Sequence, residues 1–232
     1  MTTYFPLTLV TILIPALFWA CYHYWKDRHQ PEPILYLLLT LLLGIGSGYM
    51  GQLAYETLDL LGLRQDAYAL GYTNRLGLFI YAVSVIGVIE ELVKFIPFYV
   101  IVLRFRYFDE LMDGIIYASF IGLGFSIYEN FVYAQFADQK ELLARGVASP
   151  PVHFIFASIW GYSCGYAKLT KRPLFLYAFA GLVVAVLLHG CYDFLVIGLP
   201  GWGQVVSSLI ILFIWVWRMY LIRRLQPRGM AN

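Results

Sequence analysis

Long apolar segments follow one another along this chain, and each is long enough to cross a lipid bilayer. A membrane-spanning helix needs about 20 apolar residues, because each residue adds about 1.5 Å along the helix axis. Segments of this kind cover residues 4–25, 33–54, 76–103, 109–136, 151–168, 174–198 and 202–222. The sequence therefore predicts an all-α fold, a polytopic bundle of about seven transmembrane helices.

The composition agrees with a membrane protein. Of the 232 residues, 61% are hydrophobic and 13% are charged, whereas an average soluble domain has about 25% charged residues. The length suits one transmembrane domain over residues 1–232, with the motifs described below concentrated in about 75–195. The net charge is +2 and no basic tract contains interleaved aromatic residues. We therefore expect the lipid bilayer as a partner and no nucleic acid.

Basic residues are distributed unevenly between the two sets of loops. One set carries Lys26, Arg28, Arg104, Arg106, Lys168, Lys171, Arg172, Arg218, Arg223, Arg224 and Arg228, and the other carries Arg64, Arg75, Lys140 and Arg145. Cytoplasmic loops of membrane proteins are enriched in lysine and arginine. The bias predicts that the N-terminus is outside and the C-terminus is cytoplasmic.

Four of the predicted spans contain ionisable side chains. These side chains are Glu90, Glu91 and Lys94 in the third span, Asp113 and Glu129 in the fourth, His153 in the fifth, and His189 and Asp193 in the sixth. A charge at the bilayer centre costs at least about 2.5 kcal/mol on insertion scales, so each one requires a reason. Most of these positions fall in one layer at or above the middle of the membrane. Lys94 and Asp113 fall lower, and Asp113 is predicted to be structural, bonded either to Lys94 or to an N-terminal backbone group.

Small residues at four-residue spacing mark the faces on which these helices meet. The fourth span carries Gly114, Ala118, Gly122, Ser126 and Asn130, the fifth carries His153, Ala157, Gly161 and Gly165, and the sixth carries Gly181, Ala185, His189 and Asp193. Small side chains let membrane helices approach closely. The polar residues are therefore expected on faces that contact neighbouring helices.

Peptide hydrolysis inside a membrane needs an activated water molecule, and a bound metal ion can provide one. Two imidazoles and one carboxylate form a common catalytic zinc site, and His153, His189 and Glu129 could supply them. The metal would be a divalent ion such as Zn²⁺. Glu90 or Glu91 would act as general base. Asp193, one turn after His189, could orient its imidazole or join the metal.

The remaining polar residues complete the candidate set. Lys94 lies one turn from both glutamates and could keep one of them ionised. Asn130 adjoins Glu129, and it is counted with Glu90, Glu91, Lys94 and Asp193 as a candidate catalytic residue. Each group also has a simpler interpretation. His153 could be a packing residue, the third-span charges a self-neutralised network, and Glu129–Asn130 an interhelical hydrogen-bond clamp.

Other chemistries have less support in the sequence. The HExxH motif of soluble zinc proteases is absent, and Asp113 and Asp193 lie at opposite ends of their spans, which disfavours an aspartyl pair. Ser47 has no base beside it and is predicted to be a packing residue. A proton- or ion-coupled transporter would also bury Glu, Asp and His, although such proteins usually contain internal repeats. A non-catalytic membrane scaffold is the third alternative.

Four segments together resemble the PrsW family of membrane proteases, distant relatives of the CAAX-processing and bacteriocin-processing membrane endopeptidases. They are EELVK at 90–94, DELMDGIIYASFIGLGFSIYEN at 109–130, His153, and HGCYD at 189–193. Two departures from the family pattern occur, one in the glycine-rich segment and one near the second histidine. Ala118 and Ser119 stand where a further glycine is common, and Asp193 stands where relatives have Asn or Asp.

The resemblance implies a protease of the bacterial plasma membrane. Such an enzyme would cut a single-pass membrane protein, notably an anti-sigma factor, on its extracytoplasmic side. Glu90 and Glu91 match the paired glutamates of the family and Lys94 matches its lysine. Glu129, His153 and His189 match the glutamate and the two histidines of the later motifs.

Overall fold

The computed structural model describes residues 5–225, and within that range the regular structure is entirely helical. The helices are α1 (Phe5–Lys26), α2 (Ile34–Leu60), α3 (Ala67–Thr73), α4 (Arg75–Tyr81), α5 (Val88–Val100), α6 (Leu111–Tyr133), α7 (Gln139–Leu169), α8 (Leu174–Gly198) and α9 (Trp202–Leu225). A π-helical segment (Ala82–Gly87) joins α4 to α5, and a 3₁₀ turn (Val102–Arg104) follows α5.

Among the described residues, seven helical stretches are long and apolar enough to cross a membrane. They are α1, α2, the stretch Arg75–Arg104 that contains α4 and α5, and α6 to α9. The prediction of an all-α bundle with about seven spans is confirmed. The predicted start of the first span at residue 4 and the basic residue Arg228 lie outside the described residues.

The bundle is arranged around α6. In the most apolar 18-residue stretch of α6, 83% of the residues are buried, whereas the corresponding fraction is 22% in α1 and in α9. Small residues allow the close packing that this central position requires. A Cβ atom placed on Gly122 would lie only 2.7 Å from the Cα atom of Phe154 on α7. The predicted stripe on α6 is therefore a helix contact face, and it holds α6 against the helix that carries His153.

The third span contains a π-helical segment immediately before Glu90, which the sequence did not predict. π-Helical turns are rare and occur mostly at functional sites. Here the segment packs on α8, where a Cβ atom on Gly87 would lie 2.7 Å from the carbonyl oxygen of Val186 and 3.2 Å from the nitrogen of Gly190. The absence of side chains at both glycines brings the backbone before Glu90 against the backbone beside His189.

The start of α7 differs from the prediction. The predicted fifth span began at residue 151, whereas α7 begins at Gln139 and continues through Pro150 and Pro151. The side chain of Asp138 accepts a hydrogen bond from the backbone N–H of Glu141 at 2.8 Å, which is a typical helix start. His153 therefore lies in the middle of α7, and its predicted position at the head of the span is wrong.

Asp113 caps α6 and does not pair with Lys94. Its carboxylate accepts hydrogen bonds from the backbone N–H groups of Asp109 (2.8 Å) and Glu110 (2.6 Å). The first turn of a helix has unpaired N–H groups, and an acidic side chain at its third position satisfies them. Of the two predicted partners for Asp113, the backbone at the helix N-terminus is therefore confirmed. Lys94 is the wrong one, because it pairs with Glu91.

The loop between α1 and α2 is fixed to α6 by two buried carboxyl groups. Asp27 accepts a hydrogen bond from the backbone N–H of Glu32 at 2.9 Å, and Glu32 accepts one from the hydroxyl of Tyr117. Their exposed fractions are 4% and 5%. Burial raises the pKa of Asp27 to about 7 and the pKa of Glu32 to about 8.

Candidate active site

Side chains from four helices meet in one buried cluster, which we call the carboxylate–histidine cluster. It contains Glu90, Glu91 and Lys94 from α5, Glu129 from α6, His153 from α7, and His189 and Asp193 from α8. Glu91 and Lys94 are fully buried, and His153 and His189 are 3% and 2% exposed. The ring centroids of the two histidines lie 5.4 Å apart. Residues distant in the sequence therefore share one pocket.

Glu91 is the most completely bonded member of the cluster. Its Oε1 atom accepts hydrogen bonds from Lys94 Nζ at 2.6 Å and from His189 Nδ1 at 2.7 Å. Its Oε2 atom accepts one from the indole N–H of Trp160 at 2.9 Å. A carboxylate with three donors from three helices orients its neighbours. Because Glu91 holds His189 Nδ1, the other ring nitrogen of His189 is directed toward Glu90 and Asp193.

His153 is held between a cation and a carboxylate. Its Nδ1 atom lies 3.2 Å from Lys94 Nζ, and its Nε2 atom lies 3.0 Å from Glu129 Oε2. A lysine ammonium group can only donate, so Nδ1 accepts and Nε2–H donates to Glu129. Glu129 also forms an ion pair with Arg145 at 3.0 Å. In this arrangement Glu129 acts as an acceptor for His153.

Three residues of the cluster have the composition of a metal site. One donor atom from each of Glu90, His153 and His189 lies within 4.8 Å of the other two. Buried carboxylate oxygens normally have hydrogen-bond partners, yet Glu90 Oε2 and Asp193 Oδ2 have none among residues 5–225. These two oxygens lie 3.5 Å and 3.8 Å from His189 Nε2. A cation between them would provide the missing partner, so the residues fit a divalent metal.

The grouping differs from the sequence-based assignment in two respects. Glu90 lies with the two histidines in the position that the prediction gave to Glu129, which bonds Arg145 and His153. Glu91 holds the Nδ1 atom of His189, whereas the prediction offered Asp193 either for orienting this imidazole or for joining the metal. The physical reason is the same in both cases. Sequence spacing places residues on a face, but it does not show which of two neighbouring carboxylates reaches a given ring.

The interhelical clamp predicted as one alternative for Glu129 and Asn130 is formed by Glu129 alone. Glu129 on α6 accepts hydrogen bonds from Ser149 at 3.3 Å and from His153 at 3.0 Å, both on α7. The Asn130 side chain is 1% exposed, and within the described part of the chain neither its amide oxygen nor its amide nitrogen has a hydrogen-bond partner. An unpaired carboxamide in a buried position has both a donor and an acceptor available for a peptide group.

Aromatic side chains pack directly against the histidines and the lysine of the cluster. The ammonium group of Lys94 lies 4.7 Å from the ring centroid of Phe125, which is also 4.8 Å from the His153 ring. Phe156 lies 5.1 Å from the His189 ring. A low-dielectric surrounding strengthens the electrostatic interactions inside it. The cluster is therefore a polar centre enclosed by apolar walls.

Several functional partners were absent from the sequence-based set. Tyr55 donates to Glu90 Oε1 at 3.1 Å, Trp160 bonds Glu91, and Arg145 pairs with Glu129. Trp160 lies seven residues after His153 and thus on the same helical face, a signal that could have identified it. Tyr55 and Arg145 were assigned to loops, because α2 and α7 both extend beyond the predicted span ends.

The profile of a known protein family matches residues 32–219, which is most of the chain, and its description is PrsW family intramembrane metalloprotease. The chain belongs to the PrsW family. Proteins with the name Protease PrsW are similar to it over most of their length. The protein from Clostridioides difficile is 29% identical over 91% of this chain and 86% of its own length.

Two further relatives support the assignment. The Protease PrsW of Geobacillus kaustophilus is 27% identical, covering 87% of this chain and 84% of the relative. That of Bacillus subtilis is 25% identical, covering 88% of each chain. No solved structure matches the chain. This PrsW-family chain is therefore an enzyme, an intramembrane protease, and a multi-pass bacterial membrane protein. The transporter and scaffold alternatives are set aside.

Proposed function

We propose that this PrsW-family protein is a metal-dependent endopeptidase that cleaves a single-pass membrane protein near its extracytoplasmic side. The observation that carries the proposal is the group of Glu90, His153 and His189, with unpartnered carboxylate oxygens of Glu90 and Asp193 beside it. Such oxygens are costly inside a membrane protein unless a cation or a substrate group binds them.

Glu90, His153 and His189 would hold the metal, and Zn²⁺ suits two imidazoles and one carboxylate with an open position. When bound, the metal supplies Lewis-acid chemistry and a water molecule of lowered pKa. Binding through His153 requires that one of its nitrogens leaves its present partner, Lys94 or Glu129. Metal binding would thus break the hydrogen bond of His153 to one of these two residues.

We assign the proton-transfer role to Glu129. Its side chain is 19% exposed and lies against His153 and Arg145, so it can meet both water and substrate. It would accept the proton of the attacking water and donate it to the departing amine. The donors to Glu129 all contact its Oε2 atom, which leaves Oε1 for a proton. Glu91 is less suited, because its three donors occupy both of its oxygens. Glu91 therefore positions His189 and Lys94.

Asn130 is proposed to bind the substrate. Its buried carboxamide has no partner within the described residues, and it adjoins Glu129 in the sequence. A carboxamide can accept from a peptide N–H and donate to a peptide carbonyl. A substrate segment that enters the bundle in an extended form would have unpaired peptide groups, and Asn130 would satisfy one of them.

The proposed substrate class follows from the position of the cluster along the helices. Glu129 and Asp193 both lie near the C-terminal ends of their helices, α6 and α8. With the N-terminus outside, as the basic residues predict, these ends face the extracytoplasmic side. The enzyme would therefore cut a membrane protein in the outer part of the bilayer. An anti-sigma factor is the substrate type implied by the family resemblance.

A cleavage assay in lipid vesicles tests the proposal. Purified protein would be reconstituted with tagged single-pass anti-sigma factors from the same bacterium, and the cleavage products would be followed by immunoblotting and mass spectrometry. Glu90→Gln, His153→Ala and His189→Ala should reduce cleavage at least about 100-fold, and a chelator should abolish the wild-type activity until Zn²⁺ is restored. Cleavage by all three variants at the wild-type rate would overturn the proposal.

A further inference from the structure

Adjacent glutamates on a helix point about 100° apart, so Glu90 and Glu91 cannot have the same surroundings. Each of them nevertheless has one carboxylate oxygen held in the same way. The hydroxyl of Tyr55 on α2 donates to Glu90 Oε1 at 3.1 Å, and the indole N–H of Trp160 on α7 donates to Glu91 Oε2 at 2.9 Å. An aromatic donor from a different helix thus fixes each glutamate.

The indole of Trp160 donates its hydrogen bond to Glu91 from a fixed position and at any pH. It is fully buried, and its ring packs edge-on against Phe98 and Phe95 at centroid distances of 4.9 Å and 5.6 Å. An indole can donate one hydrogen bond, cannot accept one and does not change its charge with pH. It therefore holds Glu91 Oε2 without adding a charge, and Oε1 remains the acceptor for Lys94 and His189.

Tyr55 makes the complementary contact on the other glutamate. Its hydroxyl occupies Oε1 of Glu90, and the oxygen left unpartnered is Oε2, which lies 3.5 Å from His189 Nε2. Because α2 packs against α5 at this point, the tyrosine sets the rotation of the carboxylate about its last bond. The free oxygen is thereby directed toward the histidines.

We infer that Tyr55 and Trp160 are positioning residues that give the two neighbouring glutamates separate roles. Trp160 locks Glu91 as the acceptor that orients His189, and Tyr55 turns Glu90 so that Oε2 faces the histidines. The part of this inference that concerns metal rests on the proposed function. The division of roles itself rests on the hydrogen bonds between aromatic donors and carboxylates.

Two substitutions remove these donors while they retain most of the side-chain bulk. In Tyr55→Phe and Trp160→Phe, kcat should fall about 10- to 100-fold while KM stays within about twofold, as expected when groups that orient metal ligands are removed. Titration with Co²⁺, followed by its visible absorption bands, should show a similar loss of metal affinity. This spectroscopic result does not depend on catalysis.

Matched controls exist elsewhere in the bundle. Tyr117→Phe removes a buried tyrosine hydroxyl that donates to Glu32, a carboxyl group outside the cluster. Trp215→Phe removes an indole from the aromatic contacts between α1, α7 and α9. Both controls should retain the wild-type kcat and Co²⁺ spectrum, even where they lower the melting temperature.

Double-mutant cycles show whether each aromatic residue acts through its glutamate. If it does, the double variant Trp160→Phe/Glu91→Gln should have the same kcat as Glu91→Gln alone. Likewise, the double variant Tyr55→Phe/Glu90→Gln should have the same kcat as Glu90→Gln alone. Multiplicative losses in both pairs would overturn the inference. So would wild-type kcat and Co²⁺ affinity in both single variants.

One replacement guards against a packing artefact. 3-Benzothienylalanine at position 160 keeps the shape of the tryptophan but has sulfur in place of the N–H group. It should reproduce the kcat loss of Trp160→Phe, and full activity would show that packing alone is required. If the wild-type protein binds no metal, the proposed metal chemistry fails, and the kcat cycles still decide the roles of Tyr55 and Trp160.

Discussion

At the scale of single residues, neighbouring positions in the sequence have unlike surroundings. Glu91 is fully buried and accepts three hydrogen bonds. Glu90 has one bonded oxygen and one without a partner among the described residues. The first pattern is typical of a group that orients its neighbours, and the second of a group that can bind a ligand. We therefore propose that the paired-glutamate motif combines a positioning residue with a binding residue.

This difference predicts unequal losses of stability when the two carboxylates are removed. Glu91→Ala leaves the buried Lys94 without its ion-pair partner, which typically costs about 3–5 kcal/mol. Glu90→Ala removes one hydrogen bond from Tyr55 and a longer contact to His189, and it should cost only about 1 kcal/mol. Both variants should lose cleavage. Thermal unfolding of the purified proteins checks the prediction, and equal melting temperatures for the two variants would contradict it.

At the scale of helices, the contact between the π-helical segment and α8 positions the cluster. Gly87 and Gly190 let the two backbones approach, which places Glu90 and Glu91 beside His189. The small-residue face of α6 performs the same role for α7 and His153. The helices are thus spaced by their glycines, and the polar side chains meet because the backbones are close.

A methyl group at Gly87 tests this account. Gly87→Ala would place a Cβ atom 2.7 Å from the carbonyl oxygen of Val186, which is backbone and can relax only if α8 moves. Overpacking of this kind costs about 1–3 kcal/mol, and the shift should lower cleavage at least about 10-fold. Gly46→Ala is the control, because a Cβ atom there meets nothing within 4 Å. Wild-type cleavage by Gly87→Ala would refute the role of this contact.

Arg218 on α9 is a second place where a helix interface buries a charge. It is fully buried, donates to Ser119 at 2.9 Å and lies over the rings of Phe154 and Trp215 at 5.3 Å and 5.7 Å. Its Nε and Nη1 atoms have no hydrogen-bond partner in the part of the chain that the structure describes, and it has no carboxylate partner there. Replacing a poorly paired buried charge by an apolar side chain of similar volume is often neutral or stabilising. We expect Arg218→Met to keep cleavage and to raise the melting temperature or leave it unchanged. A lower melting temperature would contradict this expectation.

At the scale of the whole molecule, the buried carboxyl groups of the described residues fall into two separate sets. The carboxylate–histidine cluster lies toward one end of the bundle. Asp27 and Glu32 lie in the loop between α1 and α2, beside the N-terminal part of α6. In the first set, Glu90 Oε2 and Asp193 Oδ2 have no hydrogen-bond partner among the described residues and can bind a ligand. The second set is bonded within the protein and fixes a loop. Activity and pH-dependent stability should therefore be separable by mutation.

The loop carboxyl groups predict how stability changes with pH. Burial raises the pKa of Asp27 to about 7 and that of Glu32 to about 8, above ordinary values of about 4. Their stabilising contribution is full below about pH 4 and is lost as the pH rises through these folded-state values. The melting temperature should fall by roughly 4 °C or more between pH 5 and 8.5.

Amide variants isolate this effect. Asp27→Asn combined with Glu32→Gln should flatten the pH dependence of the melting temperature, because neither amide ionises. Asp59→Asn, at an exposed position of α2, should leave it unchanged. A melting temperature that rises with pH in the wild type, or an equally steep fall in the double variant, would contradict the assignment.

The sequence predicted the spans and the residues of the cluster because apolar length and the cost of buried charge are local properties. It did not predict which carboxylate faces which histidine, since that depends on a π-helical segment and on glycine contacts between distant helices. Helix ends were the other weakness. The Asp138 cap lies in polar sequence, so α7 was predicted too short and Arg145 was assigned to a loop.

We propose above that Glu90, His153 and His189 together hold a catalytic metal ion. The most direct test is the metal content of the purified protein, measured by mass spectrometry, alongside cleavage by the same samples. We predict one Zn²⁺ or similar divalent ion per chain, lost together with cleavage in His153→Ala and His189→Ala. Metal-free protein that still cleaves its substrate at the full rate would contradict the proposed metal dependence.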